Sequence, residues 1–218
     1  MIAIADYGIG NLGSVTKGFR RAGAEVVLTG EREALRRADA LVLPGDGAFA
    51  ATMAEVERRS LVPVLREAVE EGKPLLGICI GMQLLFEESE EHGVHRGLGF
   101  LPGRVRRFEG DLPVPHMGWN RLRGRRPHPI LDGVPDGAHV YFVHSYYCDA
   151  PDDVVIATSD YGRDFPAIVG RGSVLGVQFH PEKSQEVGLR MVEAFVRIVD
   201  AARRAACPRV MTGSTEGA

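Results

Sequence analysis

Short apolar runs alternate with amphipathic patterns through the first half of the chain. The apolar runs are residues 2–5, 25–28, 40–43 and 74–78. The amphipathic patterns are residues 12–22, 31–37 and 50–71. Uninterrupted apolar runs are typical of strands buried on both faces, and the amphipathic stretches predict helices, the last of them broken at Pro63. This β-α-β-α order predicts a parallel, doubly wound sheet that binds ligands at the carboxyl ends of its strands.

In the second half of the chain, short strands dominate the pattern. They are residues 105–108, 139–143, 154–158, 167–169 and 174–179. Turns rich in Gly, Pro and Asp separate them, which predicts additional antiparallel strands. A helical pattern at residues 185–204 closes the domain, and the Pro, Gly, Ser and Thr of residues 205–218 predict a flexible tail. We therefore expect a single α/β domain over residues 1–204.

Composition limits the classes of function. The chain has 218 residues and is 44% apolar, which is enough for one well-buried core. No apolar run approaches the roughly 20 residues that cross a bilayer, and no basic region of a signal peptide is present, so we expect no membrane association. A net charge of −3 argues against nucleic-acid binding. The three cysteines (Cys79, Cys148 and Cys207) have no metal-ligand spacing, so we expect reduced thiols in the cytoplasm and no metal site.

Residues 75–83 (LLGICIGMQ) carry the candidate nucleophile. An apolar run ends at Cys79, which has Gly77 and Gly81 two residues away on either side, and a helical pattern follows. Such a strand, turn and helix predict a strained elbow that presents the thiol, and the helix dipole favours the thiolate. The alternative is a small buried hydrophobe, the usual role of a free cysteine at a strand end.

The candidate base lies about a hundred residues further on, in residues 174–182 (VLGVQFHPE). A strand ends at His180, and Pro181 and Glu182 follow, so that the carboxylate can reach one ring nitrogen and leave the other for the thiol. Alone, this tripeptide is typical of a surface turn. Together with Cys79 it predicts a Cys-His-Glu triad at the carboxyl edge of one sheet.

Two glycine-rich loops follow predicted strands. In residues 43–49 (LPGDGAF), the backbone N–H groups of Gly45 and Asp46, with that of Ile80, would stabilise an oxyanion; the alternative is a tight strand-to-helix turn. Residues 8–13 (GIGNLG) fit a dinucleotide-binding fingerprint, with Glu31 near the position of the ribose ligand. Two residues separate this loop from its strand, however, which argues against the tight phosphate-binding turn.

Taken together, these segments resemble the class I, triad-type glutamine amidotransferases over about residues 1–200. Residues 77–83 and 180–182 carry the likeness to the whole class. The motifs of one subfamily are residues 6–12 (DYGIGNL), 115–120 (PHMGWN), 141–146 (YFVHSY) and 183–185 (KSQ). They resemble the glutaminase subunits of imidazole glycerol phosphate synthases in histidine biosynthesis. The resemblance implies a single-domain, flavodoxin-like fold with a mainly parallel sheet.

The resemblance also implies the reaction. Cys79 would attack the side-chain carbonyl of L-glutamine to form a thioester, His180 would protonate the departing ammonia and then activate water, and Glu182 would hold the histidine. No metal or organic cofactor would be needed. Two alternatives stay open: the glutaminase of another biosynthetic amidotransferase, and a dinucleotide-binding module built on residues 8–13.

Four residues would hold the amino-acid end of glutamine by this resemblance: Gln83, Glu91, Ser145 and Tyr146. For Glu91 the alternative is a solvated helix face, because four acids crowd residues 87–91. The family commonly has valine where Asp46 stands and leucine where Ile80 stands. We expect the Asp46 side chain to face solvent or a partner, since a carboxylate in the site would oppose an oxyanion.

The implied partner is a (βα)₈-barrel cyclase subunit that receives the ammonia and makes imidazole glycerol phosphate and aminoimidazole carboxamide ribotide. The two subunits would form a heterodimer. Gly10, Asn11, Trp119 and Lys183 would lie near the interface and the ammonia exit. Core packing is the alternative role for Trp119, whereas an interface role requires it to be partly exposed in the isolated subunit.

Overall fold

The computed structural model describes residues 1–206. Its parallel strands and the helices between them come from the alternating first half of the chain. The strands are β1 (Ile2–Ala5), β2 (Val26–Thr29), β3 (Ala40–Gly45) and β4 (Leu75–Cys79). The helices are α1 (Leu12–Arg21), α2 (Arg32–Arg37), α3 (Phe49–Arg58), α4 (Leu61–Glu70) and the short α5 (Ile80–Gln83).

The second half contains mostly short strands and one long helix. The strands are β5 (Glu88–Ser89), β6 (His95–Arg96), β7 (Arg104–Arg107), β8 (His116–Arg121), β9 (Arg123–Gly124), β10 (His139–His144), β11 (Tyr146–Asp149), β12 (Val155–Asp160), β13 (Asp164–Arg171) and β14 (Val174–Val177). The long helix is α6 (Gln185–Ala206).

The central sheet has eight strands in the order β2-β1-β3-β4-β14-β13-β12-β9. From β2 to β14 neighbouring strands pair in parallel, and from β14 to β9 they pair antiparallel. Two smaller sheets, β10-β8 and β11-β7-β5-β6, lie beside it. The predicted α/β class, with a mainly parallel sheet and added antiparallel strands, is confirmed.

The order of the parallel strands positions the site. Strand β4 lies between β3 and β14, and Gly45 at the end of β3 pairs with Cys79 at the end of β4. On the other side of β4, Val177 at the end of β14 pairs with Ile78. The chain segments that leave β3, β4 and β14 therefore meet at one carboxyl edge, where open parallel sheets bind their ligands.

Helices cover the central sheet, and all residues of β1, β3, β4 and β14 are buried. Phe19 of α1 and Phe195 of α6 are both buried and meet edge-to-face with ring centroids 6.1 Å apart. Each such side chain stabilises the fold by about 1.5–3 kcal/mol through burial alone. The site thus rests on a rigid core. No helix among the described residues is long and apolar enough to cross a membrane.

Several local predictions were wrong. The helical pattern over residues 50–71 is broken as predicted, but the break is at Ser60, which has φ 54°. Pro63 lies in the first turn of α4, where its missing N–H needs no partner. The helix after Cys79 ends at Gln83, and residues 88–89 form strand β5 instead of a helix face. Strand β8 was not predicted, because its exposed face carries apolar side chains and hides the expected alternation.

The closing helix is longer than predicted. Helix α6 continues to Ala206, two residues into the segment predicted to be a flexible tail. The rest of that predicted tail, residues 207–218, lies outside the described residues and includes Cys207.

Candidate active site

Cys79 sits on a strained turn between β4 and α5. Its φ is 55°, in the left-handed region that non-glycine residues rarely adopt. Close backbone contacts make this turn possible: a Cβ at Gly81 would lie 1.8 Å from the carbonyl oxygen of Leu43, and one at Gly77 would lie 2.5 Å from that of Gly81. A Cβ at Gly45 would lie 2.4 Å from the nitrogen of Gly81. The predicted elbow is therefore packed directly against the end of β3.

His180 and Glu182 follow β14 as predicted. The backbone N–H of His180 donates to the carbonyl of Tyr141 at 3.0 Å, which anchors the turn to β10. Nδ1 of His180 lies 2.8 Å from Oε1 of Glu182, and the two side chains are only 5% and 3% exposed. The carboxylate therefore fixes the ring so that Nδ1 faces Glu182 and Nε2 points away from it.

The environment of His180 favours its protonated form. Burial lowers the pKa, but the nearby Cys79 and the hydrogen-bonded Glu182 outweigh burial and raise it to about 10. Nε2 is buried and has no aligned hydrogen-bond partner within residues 1–206. The ring is therefore close enough to the sulfur to share its charge without a formed hydrogen bond, a geometry common in enzymes without substrate.

A cavity of about 240 Å³ opens beside Cys79. Its walls include most of the residues predicted to touch substrate: Asp46, Ile80, Gln83, Glu91, Ser145 and Tyr146. The volume is below the roughly 300–1,000 Å³ of sites for larger ligands, which suits a small molecule such as an amino acid.

Gln83 is fully buried in the wall of this cavity. Its Nε2 donates to the carbonyl of Tyr146 and to Oε1 of Gln178, each at 3.1 Å. Its own Oε1 is buried and has no partner in the described part of the chain. A buried acceptor without a donor is costly, so this carbonyl is suited to receive an N–H group of a ligand.

Glu91 is buried rather than part of a solvated helix face, so that alternative was wrong. Its Oε2 accepts a hydrogen bond from the backbone N–H of Phe49, the first residue of α3, at 2.5 Å. The carboxylate thus stabilises the positive end of a helix dipole while it borders the cavity. One carboxylate oxygen is therefore bonded to α3, and the carboxylate lies in the wall of the cavity where a ligand would bind.

The Asp46 side chain is exposed and turns back on its own loop. Its Oδ1 accepts from the backbone N–H of Gly47 at 2.8 Å, and its carbonyl accepts from the hydroxyl of Thr52 in α3 at 3.1 Å. The carboxylate is therefore held by the loop backbone at the solvent side of the cavity. Gly45 lies in β3 against the elbow, and Ile80 begins α5 directly after Cys79.

The loop of residues 8–13 reaches the same edge of the sheet. Asn11 caps α1 by accepting from the N–H of Ser14 at 3.4 Å, and Gly10 (φ 108°) lies beside Pro44 and Gly45. A Cβ at Gly8 would lie 2.9 Å from the guanidinium of Arg59. That side chain fills space where a dinucleotide-binding turn would approach a pyrophosphate.

Trp119 projects from β8 on a surface near this edge and is 48% exposed. Its ring meets Tyr141 of β10 edge-to-face at 6.1 Å, and the ammonium of Lys183 lies 5.9 Å from the centroid of the same tyrosine. Met117, on the same face of β8, is 66% exposed. Trp119 is therefore not packed in the core, which was its alternative role.

The prediction missed Gln178, His116 and His144. The buried amide of Gln178 lies next to the sulfur, with Nε2 and Sγ 3.8 Å apart. The two histidines are buried and paired at 3.0 Å. A signal existed for Gln178: it precedes His180 by two residues, and in an extended segment such residues point to the same face.

Residues 3–199 match the family Glutamine amidotransferase class-I. The chain therefore belongs to the class I glutamine amidotransferases and is an enzyme with glutaminase activity. It is 51% identical over 201 residues to the protein named "Imidazole glycerol phosphate synthase subunit HisH" of Bacillus cereus (strain G9842), covering 92% of this chain and 96% of the relative. It is 55% identical to the protein of that name from Geobacillus kaustophilus (strain HTA426), covering 91% and 97%.

Solved structures share the fold at low sequence identity. A crystal structure of a glutamine amidotransferase superimposes with a TM-score of 0.73 at 23% identity, covering 91% of this chain and 98% of that one. The glutaminase domain of Trypanosoma brucei CTPS with bound acivicin gives a TM-score of 0.68 at 17% identity, covering 92% and 93%. At these identities the likeness concerns the fold alone.

Proposed function

We propose that this chain is the glutaminase subunit of an imidazole glycerol phosphate synthase. In this role it hydrolyses L-glutamine to glutamate and ammonia and passes the ammonia to a cyclase subunit. Identities of 51% and 55% over more than nine-tenths of the chain to proteins of that name support the assignment. The observation that supports the chemistry is that Cys79 lines the cavity and the buried His180–Glu182 pair lies close enough to interact with its sulfur.

The reaction proceeds through two tetrahedral intermediates. The Cys79 thiolate attacks the side-chain amide carbon, and the negative charge moves to the carbonyl oxygen. His180 gives its proton to the leaving nitrogen, the C–N bond breaks, and ammonia and a thioester remain. His180, now neutral, takes a proton from water as the water attacks the thioester, and glutamate leaves as the thiolate re-forms.

The oxyanion requires N–H donors at the mouth of the elbow. Ile80 offers its backbone N–H at the start of α5, and the loop that contains Gly45 and Asp46 borders the same cavity. The Asp46 side chain is exposed, and the N–H of Gly47 holds one of its carboxylate oxygens toward its own loop. Each N–H donor to the oxyanion contributes about 2.7–4 kcal/mol to transition-state stabilisation.

Substrate recognition uses the opposite wall of the cavity. The unpaired Oε1 of Gln83 and the carboxylate of Glu91 accept hydrogen bonds from the α-ammonium group of glutamine. The backbone of Ser145 and Tyr146 contacts the α-carboxylate. These interactions fix the length of the substrate so that its side-chain carbonyl reaches the sulfur.

The partner is the (βα)₈-barrel cyclase, which docks on the surface around Gly10, Asn11, Trp119 and Lys183. The exposed indole and the neighbouring Met117 are an apolar patch of the kind found at interface centres. Docking covers this patch in a heterodimer and gives ammonia a closed path. A reducing cytoplasm, where Cys79 stays a thiol, suits the reaction.

The test measures glutamine hydrolysis with and without the cyclase subunit and its ribotide substrate. We expect weak activity alone and strong stimulation by the ligand-bound cyclase. The Cys79→Ala variant should lose glutamine-dependent synthesis and keep ammonia-dependent synthesis by the partner. Activation by a different synthase subunit, with no effect of this cyclase, would favour another biosynthetic amidotransferase. Micromolar NAD(P) binding without glutamine turnover would favour a dinucleotide-binding module.

A further inference from the structure

One backbone carbonyl determines the orientation of several buried side chains near the sulfur. The carbonyl oxygen of Tyr146 lies 2.8 Å from Nδ1 of His144 and 3.1 Å from Nε2 of Gln83. A carbonyl only accepts hydrogen bonds, so both neighbours must be donors at these atoms. The amide of Gln83 and the tautomer of His144 are therefore defined.

The orientation of Gln83 in turn determines that of Gln178. The second hydrogen of Gln83 Nε2 points to an atom of Gln178 at 3.1 Å, and this atom must be the acceptor Oε1. The nitrogen of Gln178 then faces Cys79, with Nε2 and Sγ 3.8 Å apart. Both glutamine side chains are fully buried, so water does not compete for these bonds.

The carbonyl of Tyr146 is also held through His144, by a chain of hydrogen bonds that ends at Asn120. With Nδ1 of His144 protonated, its Nε2 accepts from Nδ1 of His116 at 3.0 Å, and Nε2 of His116 accepts from the amide of Asn120 at 3.2 Å. Burial lowers the pKa of both rings, to about 3 for His144 and about 4 for His116. Each ring is therefore neutral, with the one donor and one acceptor that the chain requires.

We propose that Gln178 is a catalytic residue whose side-chain N–H donates a hydrogen bond to the Cys79 sulfur and stabilises the thiolate. The inference rests on the proposed function, in which Cys79 is the nucleophile. A flipped amide would point its carbonyl oxygen at the sulfur and repel the negative charge. The series of hydrogen bonds that runs from Asn120 through Tyr146 to Gln83 prevents this flip.

The neutral thiol and the thiolate use different neighbours. The carbonyl of Val143, 3.9 Å from the sulfur, accepts the proton of the neutral thiol. The thiolate has no proton to give, and it gains from the N–H of Gln178 on one side and from protonated His180 on the other. Gln178 thus favours ionisation of the Cys79 thiol, although its own side chain carries no charge.

The experiment measures alkylation of Cys79 by iodoacetamide from about pH 5 to about pH 10 in the full chain, with Cys207→Ser in every protein. Gln178→Met removes the donor, Gln178→Asn withdraws it from the sulfur by one methylene, and Ser159→Ala, a buried polar position elsewhere in the sheet, is the matched control. Peptide-resolved mass spectrometry follows the two remaining cysteines separately. Buried Cys148 reports unfolding, since it stays protected in a native chain.

We expect alkylation of Cys79 at neutral pH to be about tenfold slower in both Gln178 variants, with the titration midpoint moved to higher pH. The Ser159→Ala variant should match the parent. The other titratable groups around the sulfur are identical in all of these proteins. They are His180, Tyr7 and Cys148, and the groups that line the same cavity, Asp46, Glu91, His144 and Tyr146. Unchanged titration in a Gln178 variant with protected Cys148 would overturn the proposal.

A second measurement needs no variant. The ¹⁵N–¹H signals of the Gln178 side-chain amide in the unaltered chain should shift with the same midpoint as Cys79 alkylation; signals that ignore this titration would also overturn the proposal. Failure of the function itself gives a different result. In that case the unaltered chain would not hydrolyse glutamine, with or without the cyclase subunit.

Discussion

Nδ1 of His180 and Oε1 of Glu182 lie 2.8 Å apart in a setting where both side chains are almost fully buried. A charge pair in such a setting is weakly screened, and it holds the ring in one orientation. That orientation leaves Nε2 toward the sulfur. The role of Glu182 therefore depends on its negative charge as well as on its shape.

Replacing Glu182 separates these two contributions. We expect Glu182→Gln to lower kcat by about 100-fold or more, because the amide keeps the shape but no longer stabilises the imidazolium. The KM for glutamine should change little. Steady-state glutaminase assays with the ligand-bound cyclase measure both constants. Glu57→Gln, at an exposed position of α3, is the control, and a loss below about tenfold for Glu182→Gln would contradict the assigned role.

The elbow should tolerate no side chain at Gly81. A methyl group there would meet the carbonyl of Leu43 at 1.8 Å, so Gly81→Ala must push β3 and the elbow apart. We expect it to reduce the free energy of unfolding by about 3 kcal/mol and to abolish turnover. Gly13→Ala is the matched control: it lies within helix α1 with open space around it and should gain about 0.4–1 kcal/mol. Urea unfolding of both variants provides the comparison.

The sequence was most informative where structure depends on neighbours along the chain. The elbow at Cys79 and the turn after His180 each follow from a glycine or proline beside a strand end. Their meeting at one edge follows from parallel pairing, which places the carboxyl ends of β4 and β14 together. The fold class and the family were therefore accessible from local patterns.

The features that were missed depend on the tertiary structure. The orientation of Gln178 requires Gln83 and Tyr146, which come from other parts of the chain. The burial of Glu91 likewise depends on α3, whose first N–H it accepts. From the local sequence alone, a run of acids predicts a solvent-exposed segment. Only the packed fold supplies the donor that makes burial of that carboxylate favourable.

Glu91 should affect both substrate binding and stability. We expect Glu91→Gln to raise the KM for glutamine about tenfold, because the neutral amide attracts the α-ammonium less, and to change kcat little. It should also lower the free energy of unfolding by about 1 kcal/mol through the weaker cap on α3. Exposed Glu70→Gln in α4 is the control. A variant with an unchanged KM would remove Glu91 from the substrate site.

The fluorescence of Trp119 can report partner binding directly, because Trp119 is the single tryptophan of the chain. It is 48% exposed, so covering it should shift its fluorescence to the blue when a tryptophan-free cyclase variant is added. Trp119→Ala should weaken the complex by about 2 kcal/mol, a typical value for an interface anchor, without lowering Tm. Val94→Ala, at another exposed apolar position, should leave binding unchanged. Fluorescence that is unaffected by saturating cyclase would place the interface elsewhere.

The buried histidine pair predicts a specific loss of stability in mild acid. Burial lowers the pKa of His116 and His144 from 6.5 to about 4 and about 3, and burial also lowers that of His128. As the pH falls below 6.5, the unfolded chain binds protons at these rings while the folded chain does not, so the free energy of unfolding decreases. The stabilisation from His180, whose pKa is raised to about 10, is fully present below about pH 6, where the ring is protonated in both states, so it adds no pH dependence there.

Urea unfolding between about pH 6.5 and about pH 5 isolates this effect, because carboxylates titrate mainly at lower pH. We expect a decrease of about 1–3 kcal/mol over this interval in the parent chain. A His116→Gln/His144→Gln variant should start less stable, because it disrupts the hydrogen-bonded chain, but its stability should depend less on pH. His139→Gln, at an exposed ring, should leave the slope unchanged. A slope in the double variant equal to that of the parent would show that the two rings are already protonated in the folded enzyme, and the tautomers assigned to the chain from Asn120 to Tyr146 would then be wrong.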